Sequence, residues 1–227
     1  MLRIDGTSEY EKVITYIYHK MQSGELIVGS KLPTERDLAK ELGVGRNSAR
    51  EALSILTGMG MVKRVHGSGN YITKNAHRAI QQIITMTLAL GTISDSDILE
   101  FRRNMEKTVC QVVMAKGLSE KQKAYIKEIV SKMEKSDKEE RLSLDKEFHD
   151  SLIKATDNPI FITILEAITE VYREEMREVI EKTDDDTAVR LFKIHEGIYK
   201  GIADEDRSKA LSYIEEHFNL VEEMISC

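Results

Sequence analysis

Near residue 75 the grain of this sequence changes, and that change limits the possible folds more than any other feature. Before it lie short helical segments and then two short strand-like runs, residues 60–65 and 70–73, around His66-Gly67-Ser68-Gly69. After it, apolar residues recur at helical spacing in seven segments, roughly 78–90, 96–116, 119–135, 143–156, 159–182, 186–202 and 206–226. Start signals agree with these segments. Ser119 followed by Gln122 suits a capping box, and Pro159 sits at a first-turn position where its missing N–H costs nothing. Seven consecutive helices with no strand between them can bury their apolar faces only against one another, so the second part is expected to be an all-helical bundle. The chain of 227 residues, 41% hydrophobic, is long enough for two cores. The expected fold is mainly α: an N-terminal domain over 1–75 with a small hairpin, and a C-terminal bundle over 76–227.

Net charge is −6, but it is unevenly placed. Residues 1–75 hold 11 Lys and Arg against 8 Asp and Glu, whereas residues 76–227 hold 22 against 31. Only the first part has a sign suited to phosphates, and the excess is too small to decide anything alone. No run of about 18 apolar residues and no apolar leader occurs, so no membrane span and a cytoplasmic location are expected. Cys110 and Cys227 form neither a disulfide framework nor a metal clip.

Within the first part, a helix is expected from Ser8 to Gln22, burying Val13, Ile14, Ile17 and Met21. A second opens after Thr34, which can cap it with Asp37 answering, and stops at Gly43-Val44-Gly45. A third begins Arg46-Asn47-Ser48-Ala49-Arg50. Two short helices joined by a tight glycine turn, the second led by Arg, Asn, Ser and Arg, meet the needs of major-groove docking. Arginine can take guanine O6 and N7 with two donors, and Asn47 carries the donor–acceptor pair for adenine. Ser48, and Arg36 on the preceding helix, suit phosphates. The hairpin beyond residue 60 would be a wing. Solvation of a surface helix is the plain alternative for Arg46 and Arg50.

In the second part, each residue of 142–155 can be assigned an angle at about 100° per step. Leu142, Leu144, Phe148, Leu152, Ile153 and Ala155 fill one half of the wheel and enclose Asp145 and His149. Ser143, Lys146, Glu147, Asp150, Ser151 and Lys154 fill the other. His195 falls among Leu191, Ile194, Ile198, Tyr199 and Ile202, and His217 among Ile214, Leu220, Val221 and Met224. A buried carboxylate is costly without a partner. One divalent cation (Zn, Ni, Mn or Fe) would satisfy an aspartate and three histidines together. Four separately hydrogen-bonded core residues would fit the same pattern. Arg102 and Glu106 also point inward, among Ile98, Phe101, Met105, Val109 and Val113. They are one turn apart and read either as an internal ion pair or as an arginine poised to grip an anionic ligand beside the metal.

The stretches 31–39, 43–53 and 60–69 resemble the GntR family of regulators, with its winged helix-turn-helix. The resemblance implies that Arg36, Arg46, Asn47, Ser48, Arg50, His66 and Gly67 face DNA, and that a homodimer reads a palindromic double-stranded operator. Glu100-Phe101-Arg102 with Glu106, Asp145-Lys146-Glu147-Phe148-His149 with Asn158, and then His195 and His217 resemble the FCD effector domain of the FadR-type branch. That resemblance implies Asp145, His149, His195 and His217 as metal ligands and Arg102 as an effector contact. Lys107 and Asp157 depart from the pattern, outside the ligand set. The function so implied is a transcriptional regulator whose operator affinity is controlled by a small carboxylate effector. Helices rich in Met and Ile would also suit a long acyl ligand, but a metal quartet favours a small anion. Two other readings keep the same residues: a regulator that senses the metal itself, and a metal-dependent hydrolase.

Overall fold

The computed structural model describes residues 8–182 and 184–225, and the side chains of 174, 175 and 178–182 are not part of that description. Cys227 lies outside it. The chain forms two compact units, Met1–Gln82 and Ile83–Cys227.

In the first unit, α1 (Glu9–Gln22), α2 (Glu35–Leu42) and α3 (Arg46–Gly58) precede β1 (Val62–Val65) and β2 (Gly69–Ile72). Ser8 and Glu11 close a capping box at the start of α1, and Thr34 accepts from the Asp37 backbone N–H at the start of α2. Gly43 ends α2 in the left-handed region at φ 64°, which a side chain would resist, so the chain turns at once into α3. Val13, Ile17, Leu38, Ala49, Leu53 and Leu56 form the core of this unit, and Val62 and Ile72 cover it from the hairpin. The strands pair antiparallel, with Val62 opposite Ile72 and Val65 opposite Gly69, which leaves His66, Gly67 and Ser68 as the tip. β1 falls within its expected run and is shorter, whereas β2 keeps the expected length but lies one residue earlier than 70–73, because the register pairs Gly69 with Val65 and closes at Val62 and Ile72.

From residue 76 onward, α4 (Ala76–Ala89), α5 (Asp95–Lys116), α6 (Glu120–Met133), α7 (Lys138–Ala155), α8 (Pro159–Lys182), α9 (Asp185–Ala203) and α10 (Arg207–Ile225) follow. All seven expected helices are present. The largest boundary difference is in α7, which starts five residues before the expected 143, because Asp137 caps the Glu140 N–H and draws the charged run Lys138–Arg141 into the helix. The capping box of Ser119 with Gln122 forms as expected.

In the second unit α5 packs against α7, α8, α9 and α10, and α7 packs against α5, α6 and α8. Covering α7 from three sides buries Asp150 and Ser151, which a one-faced wheel places outward. Lys146 pairs with Asp150, and the Ser151 hydroxyl donates to the Phe148 carbonyl. Phe101, expected inward, is exposed, since it lies at the edge of its arc. Cys110 is fully buried, and burial pushes its thiol up to about 11, far from the reactive thiolate form.

The hairpin of α9 and α10 is tight. A Cβ built on Gly201 would meet the Ala210 backbone nitrogen at 2.6 Å and its Cα at 2.7 Å. Backbone atoms cannot rotate away, so Gly201→Ala should force the two helices apart and lower stability by about 1–3 kcal/mol. Urea unfolding of the metal-free chain measures this, and an unchanged midpoint would show that the hairpin has slack.

Candidate metal centre and nucleic-acid interface

Asp145 and His149 stand one turn apart on α7, His195 stands on α9 and His217 on α10. One ligand atom from each of the four lies within 4.8 Å of all the others. The imidazole ring centres are 4.9–5.4 Å apart. All three histidines are buried, at 3%, 2% and 3% exposure in chain order. His195 is held by Nδ1 against the Leu191 carbonyl at 2.8 Å, one turn back on its own helix. His149 is held by Nδ1 against Glu106 Oε2 at 2.7 Å. The Nε2 atoms of His149 and His195 lie 3.7 and 3.1 Å from Asp145 Oδ1. Both of those atoms, together with His217 Nδ1, are buried without a hydrogen-bond partner. Orphaned imidazole nitrogens are expensive in a core. Three of them beside one carboxylate are the donor set a divalent cation takes, and the residues present fit such an ion.

The charges are arranged to match. Burial alone would raise the Asp145 carboxyl, but the close His149 and His195 rings hold it well below the usual range. Burial likewise opposes charge on His149, yet Glu106 and Asp145 together push it up to about 10. Glu106 is held down to about 2 against its burial by His149 and Arg102. His217 goes the other way: burial, then the charges of His195 and His149, push it well below its usual value.

Arg102 is buried on α5, donates to Glu106 Oε1 at 2.9 Å, and stacks over the Tyr172 ring at 4.8 Å. The internal pair expected from the sequence is therefore formed. Arg102 also lines a narrow cleft together with Asp145, Lys146, His149, Thr169 and Arg173. A second narrow cleft touches Asp145 and His195 from the side of Met133, Leu191 and Phe192. Lys146 and Arg173 escaped the sequence reading, since nothing in helical periodicity separates a cleft-lining cation from a solvated one.

On the first unit, Arg36, Arg46, Asn47, Arg50, His66 and Gly67 are exposed. Arg46, Asn47, Ser48 and Arg50 share the opening turns of α3, Arg36 lies on α2, and His66 and Gly67 are at the wing tip. Arg50 donates to Asn47 at 3.3 Å. Glu35 stands 4.0 Å from Arg46 and 3.5 Å from Arg64, a wing cation the sequence reading missed. Ser48 is engaged within the unit. Its hydroxyl donates to Glu9 at 2.8 Å, and the same carboxylate oxygen accepts the Gly45 N–H at 2.9 Å. Glu9 thus reaches from α1 to cap α3, whose own N-cap, Gly45, has no side chain to do so. Those hydrogen bonds, from Gly45 first and Ser48 second, lower the Glu9 carboxyl.

Comparison with known proteins agrees with both halves. Residues 9–72 match the gntR family of bacterial regulatory proteins, and residues 97–220 match the FCD domain. The chain is 27% identical over 215 residues to the uncharacterized HTH-type transcriptional regulator YcbG of Bacillus subtilis, covering 95% of this chain and 89% of that one. It is 28% identical over 211 residues to the HTH-type transcriptional regulator LutR of the same organism, covering 91% and 96%. Among solved structures, a Streptococcus agalactiae GntR protein shares the fold with a TM-score of 0.71 at 24% identity, over 94% of this chain and 99% of that one. The family and these relatives are regulators and not enzymes, which sets the hydrolase reading aside. No helix among the described residues is long and apolar enough to cross a membrane. A helix-turn-helix with a hairpin wing, followed by a helical bundle and matched along both parts, makes this chain a transcriptional regulator of the GntR family with an FCD effector domain.

Proposed function

We propose that this regulator binds a palindromic operator as a homodimer through residues 1–75. Residues 76–227 would lower or raise that affinity when a small organic acid occupies a metal site built from Asp145, His149, His195 and His217. The observation that carries the reading is the meeting of three partnerless buried imidazole nitrogens and one carboxylate beside a cleft that holds a buried arginine. The chemistry a bound divalent ion supplies there is an electrophilic coordination position for a carboxylate oxygen. The residues of the chain do the rest. Asp145 offsets cationic charge in a dry core, and the three rings fix the distance between donors. Arg102 presents donors at the cleft wall, where a second anionic oxygen would be held. On the reading side, Arg46 and Arg50 take guanine edges and Asn47 an adenine edge. Arg36 meets a phosphate, Ser48 would meet one only by giving up its bond to Glu9, and His66 and Gly67 bring the wing backbone to the duplex. The acid can shift operator affinity only by its differential affinity for the two states of the dimer.

The test uses a duplex selected by the protein from a random pool, with the zinc-loaded dimer titrated in acetate, succinate or citrate. At least one acid should change operator affinity by about 5–150-fold, the range of ordinary allosteric coupling. That response should vanish after chelation. Operator affinity that follows metal level alone, unmoved by any of the three acids, would favour the metal itself as the signal.

A further inference from the structure

Glu106 is not one of the four candidate ligands, yet its carboxylate touches the site through two of its neighbours. Oε2 accepts from His149 Nδ1 at 2.7 Å, and Oε1 accepts from Arg102 at 2.9 Å. Glu106 is itself buried, so neither bond is shared with bulk water. An imidazole that ligates a metal is neutral and keeps one N–H. Committing that hydrogen to Glu106 leaves the Nε2 lone pair facing Asp145, His195 and His217, where it has no other partner. His195 is oriented by the same device with a weaker acceptor, the neutral Leu191 carbonyl. His149 alone of these two is braced by a charge, delivered from a different helix and clamped in turn by Arg102.

We infer that Glu106 is a positioning residue for the metal. It fixes the tautomer and the aim of His149, raises the basicity of that ring toward a cation, and ties the ring to Arg102 through one carboxylate. The inference rests on the four-residue metal site proposed above and adds the relay α5 carboxylate to α7 imidazole to ion. Carboxylates placed behind a ligating histidine set metal affinity without touching the metal, commonly by about 10–100-fold. Because the other oxygen of Glu106 holds Arg102, an anion that draws the guanidinium away alters the brace on His149. Anion occupancy and metal affinity are thereby linked, and linkage is reciprocal.

The experiment is a zinc, nickel and manganese titration of the full-length chain against a competing chelator. The variants are Glu106→Gln, the double variant Arg102→Met with Glu106→Gln, and Glu100→Gln as an exposed control on the same helix. The double variant guards against misfolding, because it leaves no buried guanidinium without its carboxylate. Both Glu106 variants should bind metal about 10–100-fold more weakly, with Glu100→Gln within twofold of the parent. Nitrogen-15 histidine spectra of the zinc-loaded parent should show His149 protonated at Nδ1. Glu106→Gln and the double variant both binding within twofold of the parent would overturn the relay and leave the four-ligand site standing. A parent chain that takes up none of the three ions would instead remove the site, and the relay with it.

Discussion

Replacing Arg46 and Arg50 together with alanine is expected to erase operator selectivity while leaving the fold unchanged. Both side chains are exposed on the opening turns of α3, and their partners in the chain are surface contacts with Glu35 and Asn47. Such contacts contribute little to stability, so the melting temperature should hardly move. On a duplex each arginine set against guanine is worth about 1–3 kcal/mol of discrimination. In the proposed two-fold dimer each would act twice, so the double variant would forfeit about 4–12 kcal/mol. That is as large as the entire gap of about 4–10 kcal/mol between specific and random binding. Fluorescence anisotropy should find the variant binding selected and scrambled duplexes alike. Arg36→Ala should weaken both equally and lower the salt slope by about two, one phosphate contact from each protomer. A double variant that still preferred the selected duplex would move the reading surface elsewhere, with the wing and Arg64 as the first places to look.

The second expectation concerns the sign of a core substitution. In the metal-free chain, His217 buries an Nδ1 atom without a partner and is held uncharged by burial and by its two imidazole neighbours. His217→Leu removes that orphan and fills the space with apolar atoms, so the metal-free variant should be at least as stable as its parent, and up to about 1–3 kcal/mol more so. The same variant should lose the response to metal. At a free ion concentration about 1,000 times the dissociation constant, the parent gains about 4 kcal/mol, and the melting temperature should climb by roughly 8–16 °C. Calorimetry with and without zinc reads both effects. A variant less stable without metal, with the zinc response retained, would make His217 an ordinary packing residue.

The helices of this chain were legible because each announces itself locally. Ser119 with Gln122, Thr34 before Asp37, and Gly43 after α2 are short-range chemistry, and the structure uses each as an end signal. Periodicity also told which way Asp145, His149, His195 and His217 turn, since inwardness is a property of one helix. It could not tell toward whom. The bond from His149 to Glu106 joins α7 to α5, and that from Glu9 to Gly45 and Ser48 joins α1 to the head of α3. Neither spacing has a local signature. Asp150 and Ser151 went astray for a related reason, because a wheel assumes one buried face, and α7 is packed on three sides. The start of α7 was late because Lys138–Arg141 carry no apolar residue to show a period.

The contact of Gly201 against Ala210 bears on more than packing. It sits about two turns of helix from His195 on one side and from His217 on the other. Those two rings therefore behave like the fixed jaw of a caliper, set by backbone against backbone, while Asp145 and His149 belong to the sliding jaw carried on α7. In the metal site proposed above, ions of different radius would be met by travel of that second jaw, so the size of what is held would follow from where α7 comes to rest.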